Sequence, residues 1–118
     1  MVKQGDIVKI SLNPQKGHEQ AGFRPAVVVS NKLLNDHSVM SMLCPVTHTN
    51  RKNPFHVEIS NNPNADGFIM CDQLKSLDLS SRNYRVVGHV SEAQLETVLD
   101  RISMLLEKEY SYKKPSRR

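Results

Sequence analysis

Tryptophan is absent, and phenylalanine and tyrosine number only three each. A core built without large aromatics must rest on Val, Ile, Leu and Met. No apolar run approaches the length of a membrane span, so no membrane role is expected. Met1-Val2-Lys3-Gln4-Gly5 leads into a strand-like segment without the apolar stretch of a secretory signal, which points to the cytoplasm. The two cysteines, Cys44 and Cys71, form no Cys-x-x-Cys and sit in apolar segments, as buried free thiols do. The five histidines, at 18, 37, 48, 56 and 89, include no close pair and no His-Glu-x-x-His. Neither a metal site nor any other cofactor is therefore expected. A Gly-x-Ser-x-Gly elbow and a phosphate-cradling glycine loop are both missing.

What is there suits one small domain. The 118 residues carry one core but not two, and the net charge of +4 is compatible with a polyanionic partner. Residues 1–112 read as that domain, and 113–118 as a basic, disordered tail. Strand-like runs cover Asp6–Leu12, Pro25–Ser30, Val39–Val46 and Pro54–Ser60. Another starts at Phe68 and continues through Leu74 towards Leu77 and Leu79, and a last short one is Val86–Val90. Asn31–Asp36 is a short helical turn or loop. Ser91 with Gln94 forms a capping box ahead of one clear helix reaching about Lys108. Its apolar stripe is Leu95, Val98, Leu99, Ile102, Leu105 and Leu106. Short strands separated by turn signals predict a small, strongly curved antiparallel sheet or barrel capped by that helix.

Chemistry concentrates in the loop Gly17-His18-Glu19-Gln20-Ala21-Gly22-Phe23-Arg24-Pro25, where two glycines bracket a histidine, a carboxylate and an amide. A polar loop held between strands is a usual location for a site, though a solvated hairpin would look similar. Further polar residues lie at strand edges: Thr47 and His48, then Asp72 and Gln73 after the apolar run Phe68–Cys71. Taken singly, each also reads as an ordinary surface residue.

Together these segments resemble the MazF/PemK toxin family. The resemblance rests on Gly5-Asp6-Ile7-Val8, on Pro14-x-Lys16-Gly17-His18-Glu19-Gln20-Ala21-Gly22-x-Arg24-Pro25-Ala26-Val27-Val28, on Pro45-Val46-Thr47, and on Asp72-Gln73-Leu74-Lys75-Ser76-Leu77-Asp78. It implies a mainly β fold with α, an SH3-like small antiparallel barrel with a C-terminal helix. It also implies a homodimer, a cognate antitoxin of the MazE/PemI kind, and metal-independent cleavage of single-stranded RNA at short sequences. In that reaction the substrate's 2′-OH attacks the neighbouring phosphorus, leaving a cyclic phosphate or its hydrolysis product and a 5′-OH end.

By resemblance Arg24 and Thr47 match catalytic residues, Asp72 the general base of the PemK branch, and His18 a stabiliser of the transition state. Glu19 is a rival base. Met70 stands where that branch has an arginine proposed as the acid, so the acid stays open between Arg24 and His18. Glu19, Gln20, His48, Arg51, Lys52 and Gln73 are expected to contact RNA, with Phe23 and Phe55 as either stacking or core aromatics. Met40, Met42, Leu43 and the Ser30–Asp36 segment are candidates for a two-fold interface. Two other readings compete: a CcdB-like toxin that binds and poisons gyrase, and an SH3-like interaction module with no activity.

Overall fold

A computed structural model describes residues 1–11, 24–49, 53–59, 62–63 and 65–109. The order is β1 (Asp6–Ile10), β2 (Arg24–Val28), α1 (Lys32–His37), β3 (Met40–Thr47), β4 (His56–Ile59), β5 (Gly67–Met70), β6 (Lys75–Asp78), β7 (Tyr84–His89) and α2 (Glu92–Leu105). All the strand pairs among the described residues are antiparallel. The sheet runs β4-β5-β3-β2-β1-β7, with β6 also on β3. The result is the expected mainly β architecture, a curved, barrel-like antiparallel sheet with a C-terminal helix. Among the described residues no pairing joins β4 to β7.

The central strands are β-branched and bury both faces, which keeps their apolar runs nearly continuous. One core holds Ile7, Val27, Cys44, Val46, Ile69 and Cys71, and α2 covers it with Val98 and Ile102. The other face collects Val8, Ile10, Ala26, Val28, Leu43 and Leu77. Leu43 is fully buried there, so it is not available to an interface as the sequence suggested. Leu33, Val39 and Met42 are the exposed apolar side chains of that region.

The helix begins as expected: Ser91 Oγ accepts from Gln94 N at 3.1 Å. Gln94 Nε2 in turn donates to Glu58 O at 2.9 Å, tying α2 to β4. The stripe ends earlier than its periodicity predicts, because α2 stops at Leu105 and both Leu105 and Leu106 are exposed.

A second departure shapes the site. The run expected as one strand from Phe68 is two. β5 pairs Val46 with Ile69, whereas β6 pairs Leu43 with Lys75, along the same strand β3. Carried along β3, the β5 register would set Leu43 opposite Asp72; its partner is Lys75 instead, a slip of three residues. Cys71–Gln73 absorb that slip as a short 3-10 helix. Pro45 faces this interruption and has no N–H to lend to a ladder. The extra residues push Asp72 and Gln73 out of the strand to the surface.

Candidate active site

Residues paired across strands sit side by side on one face of a sheet. Glu58 pairs with Phe68 and Phe68 with Thr47. On the other side Ile10 pairs with both Arg24 and Tyr84. The β2–β3 register sets Ala26 beside Pro45, and carrying it two residues outward sets Arg24 beside Thr47. One row thus crosses the sheet from Glu58 through Phe68, Thr47 and Arg24 to Ile10 and Tyr84. Two residues along, the next row on the same face sets His56 opposite Met70, and Asp72 follows two residues beyond Met70.

Arg24 opens β2 and is exposed, so its guanidinium stays solvated and free to meet an anion. Thr47 closes β3, half-buried, and its Oγ1 accepts from Thr49 N at 3.2 Å. That bond uses an acceptor lone pair and leaves the hydroxyl proton to be donated. Gly67 faces it with φ +120°, and a side chain there would run into the Thr47 carbonyl. Asp72 lies in the 3-10 helix, its side chain 34% exposed, with Oδ1 3.8 Å from His56 Nε2. Gln73 is exposed beside it.

His48 is exposed just past Thr47, with Nδ1 3.8 Å from Asp66 Oδ1. Phe55 is partly exposed. His18, Glu19, Gln20 and Phe23, with Arg51 and Lys52, lie outside the described residues. By register the structure sets Arg24 beside Thr47 at one end of the sheet, whereas Asp72 lies farther back along β3, past Met70.

Sequence reasoning missed His56, whose side chain is 9% exposed. The alternation His56-Val57-Glu58-Ile59 does put His56 and Glu58 on one face. Only the β4–β5 register reveals that His56 stands opposite Met70 and within reach of Asp72.

The remaining described histidines are engaged elsewhere. His37 Nδ1 is 3.0 Å from Leu33 O, and His89 Nδ1 is 3.1 Å from Asp6 Oδ1. Beneath the site, burial pushes the Cys44 thiol up to about 12, with Cys71 and Asp72 adding to the shift. Burial likewise raises Cys71 to about 11, against the opposing pull of Arg101. Both are free, neutral thiols at ordinary pH and pack as small apolar groups.

A family model described as PemK-like, MazF-like toxin of type II toxin-antitoxin system matches residues 3–106. The endoribonuclease toxin MazF of Escherichia coli K12 is 34% identical over 102 residues, covering 86% of this chain and 91% of that protein. The endoribonuclease PemK of Escherichia coli is 30% identical over 109 residues, covering 89% and 82%. Among solved structures, MazE-MazF from Deinococcus radiodurans superposes with a TM-score of 0.80 at 31% identity, over 89% of this chain and 95% of that one. These relatives favour the ribonuclease reading over a gyrase poison. With the family match spanning nearly all of the described fold, the chain belongs to the PemK-like, MazF-like toxins of type II toxin–antitoxin systems.

Proposed function

We propose that this chain is the endoribonuclease toxin of such a pair, cutting single-stranded RNA in the cytoplasm by attack of the substrate's own 2′-OH. The attack forms the 2′-O–P bond, breaks the P–O5′ bond, and leaves a cyclic phosphate and a 5′-OH. The base takes the 2′ proton, the leaving 5′ oxygen needs one, and the phosphorane gathers negative charge. Arg24 meets that charge, because its fork binds two phosphate oxygens and never loses its proton. Thr47 donates its hydroxyl to a phosphate oxygen or orients the 2′-OH. Asp72 accepts the 2′ proton. His18 is chemically suited to return one to the leaving oxygen. Glu19, Gln20, His48, Arg51, Lys52 and Gln73 are assigned to contact the RNA strand.

The observation that carries this reading is the β2–β3 register, which, continued two residues past Ala26 and Pro45, sets Arg24 beside Thr47 at one end of the sheet. A homodimer extends the groove across two copies, with Leu33, Val39 and Met42 as the exposed apolar surface available for contact. An antitoxin of the MazE kind silences the toxin by covering the same groove; the MazE-MazF structure from Deinococcus radiodurans supports such a partner. The test is incubation of purified protein with a long single-stranded RNA in excess chelator, with the new ends analysed. Cyclic phosphate and 5′-OH ends are expected, while 5′-phosphate ends or intact RNA would refute the reaction.

A further inference from the structure

We infer that His56 is a positioning residue for Asp72, fixing the carboxylate that takes the substrate proton; this rests on the ribonuclease reading above. His56 is more than nine-tenths buried, yet it points Nε2 at Asp72 Oδ1 from 3.8 Å. Its Nδ1 is buried with no hydrogen-bond partner. A carboxylate only accepts hydrogen bonds, so the ring's N–H belongs on Nε2. The opposite tautomer would aim two acceptors at each other and bury an unpaired N–H. Leaving a ring nitrogen buried and unpaired is unfavourable, and an apolar side chain at position 56 would avoid it. The ring stands where an N–H is useful, beside the carboxylate that the interrupted strand pushes out.

The backbone holds the two groups in register. Cys71 N donates to Phe55 O at 3.2 Å, which ties the turn carrying Asp72 to the residue before His56. Arg101 Nη1 donates to Pro54 O at 2.7 Å and reaches His56 O at 3.4 Å, clamping β4 from α2. His56 N donates to Asn53 O at 3.1 Å. The ring is fixed, whereas the Asp72 side chain is one-third exposed and free to turn. At 3.8 Å the pair is longer than a hydrogen bond and closes to one by a small rotation of Asp72. Catalytic hydrogen bonds are often long in the free enzyme and tighten with substrate. Oδ1 held by Nε2–H leaves Oδ2 to face the 2′-OH.

A thioether cannot order a neighbouring carboxylate by hydrogen bonding, and His56, directly across the ladder from Met70, can. The experiment compares single-stranded RNA cleavage by the full-length protein and its His56→Leu, His56→Gln, Asp72→Asn and Asp72→Asn/His56→Leu variants, with melting curves for each. His56→Leu is expected to melt no lower than wild type and to lose kcat by roughly tenfold to 10²-fold at unchanged KM, the loss typical of a misplaced catalytic group. His56→Gln restores much of it, since its amide N–H lies close to the position of Nε2–H. In the Asp72→Asn background, His56→Leu costs nothing further. A folded His56→Leu with wild-type kcat, a His56→Gln no better than His56→Leu, or additive losses would overturn the role of His56 alone. A wild-type protein that leaves RNA intact would overturn the ribonuclease reading with it.

Discussion

The Thr47 hydroxyl is only as well placed as the backbone beneath it, and Gly67 sets that backbone. At φ +120° Gly67 occupies a region closed to side chains, and the Thr47 carbonyl fills the space a Cβ would need. Gly67→Ala must therefore strain β5 or displace Thr47. Strain of this kind costs about 1–3 kcal/mol, so the denaturation midpoint should fall. RNA cleavage should fall more steeply than stability, because the displaced residue belongs to the proposed site. Denaturant titration with a cleavage assay on the same preparation checks both, and unchanged values would show that β5 absorbs the methyl without moving Thr47. Arg24 and Thr47 were singled out only through the resemblance of their segments to the MazF/PemK family, because an arginine before proline or a threonine at a strand end is by itself an ordinary surface residue. His56 was not legible: an imidazole in an alternating strand looks solvent-facing until the partner strand is known.

Among the elements, β3 carries the most consequence, because β2, β5 and β6 all pair with it. Its middle builds the core with Leu43 and Cys44, and its end leads through Thr47 to the exposed His48. The segment after it, with His48, Arg51 and Lys52, is basic, and its proposed work is to follow the RNA backbone. Replacing Arg51 and Lys52 with glutamine should weaken RNA binding and flatten its salt dependence, by about 0.7 in log–log slope for each phosphate no longer neutralised. Binding isotherms across a salt series measure this, and an unchanged slope removes the segment from the groove.

Element identities were readable from β-branched runs and from the Ser91 start of α2. The break of the fifth predicted strand at Cys71–Gln73 was not: Asp72 and Gln73 interrupt the apolar run there, but Leu74 and Leu77 resume it, so the run read as one strand. The three-residue slip is set by pairing with β3, a long-range property that local periodicity does not encode.

For the molecule as a whole, two neutral thiols under the site couple stability to alkaline pH. In the fold Cys44 and Cys71 hold their protons to about 12 and about 11, against an ordinary value of 9.0. Above pH 9.0 the unfolded chain releases protons that the native state keeps, so the native state binds more and stability declines as pH rises. The contribution is intact below that ordinary value and disappears towards the raised ones. Unfolding free energy measured from about pH 8 to 11 should therefore drop more in the wild type than in a Cys44→Ala/Cys71→Ala protein; parallel curves would contradict the burial of the thiols. The larger claim is that a sheet end built by β2 and β3 presents Arg24 and Thr47 to a phosphodiester. The direct measurement is the single-turnover cleavage rate of one RNA by wild type and Arg24→Ala, with matching circular dichroism to verify the fold. The expected result is a folded Arg24→Ala protein slower by about 10² or more. A folded Arg24→Ala protein cutting at the wild-type rate would contradict it.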